Sequence, residues 1–333
     1  MIKITALALA TLAPTTLYAQ HEAHNVAPGV RTQVLAHNAY PDHGKYEDRL
    51  DRALASGMPL AIEEDLAWLD GRSVVIHGAK NASAQDPTLE SYLFPKVRPL
   101  MEKAMQSGDK SKWPLITLYL DIKNNPPEHL EAIAKVLDRY NSWLTTAVKT
   151  DDLTKQSPLK LGPMMILVED KQNDIKQQFF YDQVPVGGQI RVFGSVTKPA
   201  ENPTHIPKQE YIDSLVTVPM EKITMQKADN YHRWWGLDWA YVEEGGEEHH
   251  REWGKEQETR LKQIVSYGHQ LGYLMSFYCL DGFTSESNQG WESEYNFGSV
   301  QEVMPRWKSA IHAHADMIST DQFELLAKEI KSR

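Results

Sequence analysis

Leu60-Ala61-Ile62-Glu63-Glu64-Asp65-Leu66 is a run of strand length in which three acids stand among apolar residues. Side chains alternate along a strand, so Glu63 and Asp65 share one face and Glu64 takes the other. Working outward, further apolar runs cover residues 32–36, 73–76, 115–122, 163–168, 190–196, 273–280 and 316–319. Between them lie amphipathic stretches of helical period at 46–56, 88–107, 128–144, 173–182, 247–271, 300–313 and 321–331. Strands that alternate with helices build a mainly parallel sheet. The pattern predicts an α/β fold, a closed (β/α)8 TIM barrel occupying residues 32–333 as a single domain. The strand count is seven or eight. It depends on whether 73–76 is only a hairpin partner and whether 216–239 supplies a strand. No glycine-rich phosphate loop follows the first run, which argues against a dinucleotide-binding open sheet.

Local signals punctuate the elements. Asn125-Pro126 reads as a cap and first-turn pair for the third helix, and Gly272 as the stop of the long helix before the strand at 273–280. The polar, proline-containing stretch 197–207 reads as a loop. Residues 1–19 carry Lys3, an apolar segment at 4–12 and then Leu17-Tyr18-Ala19, the order of a cleaved export signal, with 20–31 a loose lead-in. The apolar segment is shorter than the roughly 20 residues a membrane span needs. The expected location is therefore periplasmic or secreted, without a stable membrane anchor.

Composition narrows the function classes. Hydrophobic residues make up 41% of the 333 and charged residues 24%, which excludes wholesale disorder. A net charge of -10 argues against nucleic acid as a partner, because phosphate backbones call for basic stripes. With Cys279 as the only cysteine no internal disulfide can form, and its apolar surroundings read as core.

The chemistry concentrates in the first third. The first run ends in His37-Asn38, and polar groups at the C-terminal ends of barrel strands are where such folds place their sites. Glu63 and Asp65 in a barrel mouth repel unless a cation sits between them, and all-oxygen ligands favour Mg2+ or Ca2+ over zinc. Asp70-Gly71 makes a tight turn that brings the chain back to His77 near the second strand's end. The run at 115–122 carries Asp121, followed by Lys123 at a spacing of two. Asp121 can complete the metal site and Lys123 can hold a phosphate oxygen, or the two form a structural ion pair.

The set His37-Asn38, Glu63-x-Asp65, Asp70-Gly71, His77 and Asp121-x-Lys123 resembles the PLC-like phosphodiesterases, and within them the glycerophosphodiester phosphodiesterases. Asp121 stands where many members carry Glu, which is similar to the sphingomyelinase D branch. The His-Asn pair and Thr88-Leu89-Glu90-Ser91-Tyr92-Leu93 look closest to the branch typified by a yeast protein named for altered inheritance of mitochondria. Residues 315–321 resemble the closing strand of these barrels. The resemblance implies catalytic His37 and His77, metal ligands Glu63, Asp65 and Asp121, and substrate contacts from Asn38 and Lys123. An Arg commonly follows the first His of glycerophosphodiesterases, and Asn38 here leaves the headgroup open. The expected activity is metal-dependent hydrolysis of a small-molecule phosphodiester or phospholipid, with one histidine as acid and the other as base. Cyclising transfer, a non-catalytic phosphate- or lipid-binding barrel and a carboxylate glycosidase are the alternatives.

Other features read as structural. Glu169 and Asp170 suggest a helix cap that could still face the mouth. Glu247, Glu248, His249 and His250 suggest the charged start of a helix. Asp321 with Glu324 suggests a cap ahead of the last helix. Trp234, Trp235 and Trp239 can pack in the core or stack on a ligand.

Overall fold

The acid-bearing run folds as a ten-residue strand, β2 (Leu60–Leu69), longer than its apolar core because Asp70-Gly71 turns it directly into an antiparallel partner, β3 (Arg72–Val75). The computed structural model describes residues 26–42, 46–78, 80, 82–171, 175–197, 206–287 and 295–332. The leader expected at 1–19 lies outside the described residues.

Eight parallel strands close on themselves in the order β1 (Gln33–Ala36), β2, β4 (Ile116–Ile122), β6 (Met164–Val168), β8 (Val192–Ser195), β9 (His232–Asp238), β10 (Leu274–Tyr278) and β11 (Met317–Thr320). β1 pairs with both β2 and β11, so the eight parallel strands close, and the (β/α)8 barrel is the observed fold, with β3 appended to the end of β2. The strand sought within 216–239 is β9. The run 190–196 divides: β8 joins the barrel, while Ile190 belongs to β7 (Gln189–Ile190), a short ribbon with β5 (Ala147–Val148).

Helices α1 (Arg49–Ser56), α2 (Leu93–Ser107), α3 (Pro127–Arg139), α4 (Lys208–Leu215), α5 (Met220–Ile223), α6 (Lys255–Leu271), α7 (Val300–His312) and α8 (Phe323–Lys331) cover the barrel. After β6 the cover is one π-helical turn, Gln178–Asp182. α3 starts one residue later than its Asn-Pro signal suggests, with Pro126 as cap and Pro127 in the first turn, where a missing N–H costs nothing. Gly272 ends α6 in the left-handed conformation, its N–H on the last carbonyls as the sequence implies. The expected start of α6 at 247 is wrong by eight residues. Glu247 is buried in a turn, and the buried Arg306–Glu243 ion pair, whose guanidinium donates to both carboxylate oxygens, holds that segment against α7. A charged run reads as a solvated helix face until a distant arginine neutralises it. α4 and α5 were not foreseen, and their weakly patterned residues are mostly half-exposed.

The lead-in also departs from expectation at its end. Gly29 N–H donates to Asp316 Oδ1 at 2.7 Å and Arg31 Nη2 to the Leu115 carbonyl at 2.7 Å, so residues 26–31 seal the N-terminal floor of the barrel. Among the described residues no helix is long and apolar enough to cross a membrane.

Candidate active site

Parallel strands in a barrel deliver their C-terminal ends to one rim. There a cavity of about 230 Å³ is lined by His37, Asn38, Glu63, His77, Asp121 and Lys123. Six of the seven residues singled out from sequence thus share one wall, and the seventh, Asp65, lies fully buried beneath them. Glu169, Tyr119, Trp234, Tyr278, Cys279 and Tyr295 are among the other residues that border the cavity.

The acids meet because β2 and β4 lie side by side in register, Asp65 opposite Asp121 and Glu63 opposite Tyr119. One oxygen each of Glu63, Asp65 and Asp121 falls within 4.8 Å of the others. Burial pushes the Glu63 carboxyl up to about 8 and that of Asp65 up to about 6, with neighbouring carboxylates adding to both. Burial also acts upward on Asp121, but the Lys123 ammonium outweighs it and holds this group below the usual carboxylate range. Lys123 Nζ stands 2.6 Å from Asp121 Oδ2 and 2.8 Å from Asp65 Oδ2. Lys123 is thus an ion-pair partner of two acids, and it also lines the cavity. Three closely set carboxylates, two of them buried and Asp121 half-buried at the cavity, form an all-oxygen donor set that fits a hard divalent cation.

His37 follows β1 directly, its N–H donating to the Thr320 carbonyl of β11 at 3.3 Å. Its Nδ1 lies 3.1 Å from Asp321 Oδ1, and Arg49 clamps the same carboxylate with Nη1 at 2.7 Å and Nη2 at 2.8 Å. Burial pulls the imidazole down, but Asp321, Glu63 and Asp281 together raise it to about 9. Asp321 is thus no helix cap; Gln322 holds that place, and Asp321 is buried against the histidine. A cap-like spacing to Glu324 hid it, and nothing local to residue 321 points to a partner 284 positions away.

Asn38 takes a positive φ of 45°, which asparagine tolerates better than most, and so turns the chain inward at the strand end. Its Oδ1 accepts from the Tyr40 hydroxyl at 2.9 Å, while its buried Nδ2 has no hydrogen-bond partner among the described residues. That leaves an amide donor for a ligand at the cavity wall. His77 comes two residues after β3 and lines the same cavity, carried there because Ile76 N–H donates to the Asp65 carbonyl at 3.1 Å.

Glu169 lines the rim, and no helix starts at it, contrary to the capping expectation. Asp170 is buried, with its N–H on Ser195 Oγ at 2.9 Å. Trp234 stands on the cavity, edge-on to Tyr119 with 5.0 Å between ring centres, whereas Trp235 and Trp239 are core residues. Tyr295 presents its ring edgewise to His37 at 6.2 Å between centres. Cys279 is buried as expected of a core residue, yet it borders the cavity.

No protein-family model matches the chain, and no curated protein matches it in sequence. Among solved structures, the chain is similar to a glycerophosphoryl diester phosphodiesterase from Parabacteroides distasonis, at 15% identity and a TM-score of 0.40, over 92% of this chain and 87% of that one. It is also similar to an HPPK-DHPS protein of Plasmodium falciparum crystallised with pterin, at 10% identity and a TM-score of 0.44, over 91% of this chain and 47% of that one. A 7,8-dihydropteroate synthase from Vibrio fischeri gives 10% identity and a TM-score of 0.37, over 91% of each chain. The fold assignment rests on the closed order of strands.

Proposed function

We propose that the cavity hydrolyses phosphodiesters, with His37 and His77 as the acid-base pair and Glu63, Asp65 and Asp121 as ligands of one Mg2+ or Ca2+. The observation that carries this reading is the convergence of both imidazoles and a carboxylate triad at one end of the barrel. A bound cation would draw charge from the phosphoryl oxygens. Lys123 and the Asn38 amide bind the phosphate, and Lys123 leaves its two acids to do so. One imidazole takes the proton of the attacking hydroxyl and the other returns one to the leaving alkoxide. Asp321 on Nδ1 keeps His37 oriented and leaves Nε2 as the nitrogen that exchanges protons. A substrate with a hydroxyl next to its phosphoester permits cyclisation by the same groups. The substrate is a small-molecule glycerophosphodiester or phospholipid headgroup. We read the chain as exported to the periplasm or beyond, which N-terminal sequencing of the purified protein tests: a start near Gln20 supports it and an intact Met1 overturns it.

The test is turnover of bis-p-nitrophenyl phosphate with Mg2+ or Ca2+ and with chelator, followed by glycerophosphodiesters, phosphoinositides and sphingomyelin. Metal-dependent turnover that disappears in both His37→Ala and His77→Ala supports the reading. Turnover that survives the double variant overturns the mechanism. A second reading has its own support: Lys123 already neutralises Asp65 and Asp121, as a metal-free phosphate-binding barrel would need. Phosphate binding without turnover under any divalent metal would select it.

A further inference from the structure

Asp281 and Cys279 have no part in the phosphodiesterase reading, yet they stand beside His37. Cys279 follows β10 in the cavity wall, and its Sγ donates to Asp281 Oδ2 at 3.5 Å. The Asp281 carboxylate is fixed from behind: Oδ1 accepts from Thr320 Oγ1 at 2.6 Å and from the Asp321 N–H at 2.7 Å. Burial and the Asp281 and Asp321 carboxylates push the Cys279 thiol well above its ordinary range, and Ser319 Oγ, donating to the sulfur at 3.8 Å, offsets this only in part, so the neutral thiol is the form a metal ion would meet. One donor atom each of His37, Cys279 and Asp281 lies within 4.8 Å of the others. The group is therefore separate in its chemistry from the carboxylate triad, offering nitrogen, sulfur and one oxygen where the triad offers oxygen alone.

We propose that His37, Cys279 and Asp281 form a second metal site that takes a thiophilic divalent cation of the zinc class, and that filling it silences the cavity by engaging His37. Zinc arms of about 2.3 Å to sulfur and about 2.1 Å to oxygen place those donors roughly 3.6 Å apart in a tetrahedron. The observed 3.5 Å between Cys279 Sγ and Asp281 Oδ2 already meets that spacing. As the ion enters, the S–H bond of Cys279 breaks, its proton leaves to solvent and a sulfur–metal bond forms; no electron changes hands. Three protein donors would leave a fourth position for water. Metal binding is independent of the proposed activity, but the inhibitory consequence rests on it.

The experiment titrates the full chain, supplied with Mg2+, with Co2+ as a spectroscopic stand-in for zinc. A thiolate-to-cobalt charge-transfer band at one equivalent, bleached by added Zn2+ and absent in Cys279→Ser, is the expected result. In parallel, Zn2+ inhibits Mg2+-dependent turnover of bis-p-nitrophenyl phosphate. Cys279→Ser needs at least tenfold more zinc for half inhibition and keeps its zinc-free turnover within twofold. Cobalt bound without the sulfur band, or zinc inhibition unchanged by Cys279→Ser, overturns the site. Because the band is read in the native chain, a variant that fails to fold leaves that decision intact. The band without any turnover defeats the phosphodiesterase reading and keeps the metal site; turnover without the band does the reverse.

Discussion

Asp321 is the residue whose role changed most between sequence and structure. As a positioning group it orders His37 and shares its charge with Arg49. Asp321→Asn is expected to lower kcat roughly a hundredfold with KM little altered, the low end of what a positioned acid-base group contributes. It also removes a chief upward influence on the imidazole, so His37 titrates below its present value of about 9. An NMR titration of His37 in wild type and variant checks the shift, and an unchanged titration removes Asp321 from this role. Glu64 gives a second test at this scale. It is fully buried, neither carboxyl oxygen has a hydrogen-bond partner among the described residues, and burial drives its pKa well above the usual range. A raised carboxyl costs stability as pH rises through it, so Glu64→Gln should stabilise at neutral pH. A gain on the order of 1 kcal/mol would raise Tm by about 1–2 °C for a chain of this size. Thermal melts at pH 5 and pH 8 read it, with a larger gain at pH 8.

At the scale of elements, the strands that carry acids were legible because a carboxylate in an apolar run is a local anomaly. Glu63, Asp65 and Asp121 announce themselves within seven-residue windows, and the period of two fixes their face. The long-range partners were not legible in this way. Asp281, Arg49 and Tyr295 meet His37 or its aspartate only after the strands are assembled, and no motif at those positions foretells it. The boundary of α6 was missed for the same reason, since Arg306 turns the Glu243–Glu247 run from a solvated face into a buried corner. Close packing between elements also yields a prediction. A β-carbon at Gly194 in β8 would overlap Asp170 Oδ2 and the Tyr231 ring. Gly194→Ala is therefore expected to cost about 1–3 kcal/mol by overpacking. Urea unfolding would show a lower midpoint at unchanged slope, and a wild-type midpoint would mean that Asp170 and Tyr231 move aside freely.

For the whole molecule, the rim stores like charge in a low-dielectric place. Asp65, Asp281 and Glu63 are raised by burial to about 6, 7 and 8, and His37 is held near 9 by the carboxylates around it. All four bind protons more tightly folded than unfolded. Their contribution to stability is therefore complete below the unfolded carboxylate values and is lost as pH climbs through the folded ones. In chelator, Tm should fall steadily between about pH 5 and pH 9, the window set by these values. Saturating Mg2+ or Ca2+ should offset the loss, by about 2.7 kcal/mol at a concentration one hundred times Kd. Calorimetry across that range with and without cation reads both effects. A chelated protein whose Tm is flat from pH 6 to pH 8 would mean the carboxylates are not forced together as described.

Closure of the barrel joins its first strand to its last, and the same seam carries the His37–Asp321 contact. A polypeptide cut between residues 123 and 321 keeps every acid of the triad and both histidines, yet lacks the carboxylate that meets Nδ1 of its first imidazole. The shape of this rim thus depends on the meeting of the first strand with the residues that follow the eighth, and no fragment lacking that seam reproduces it.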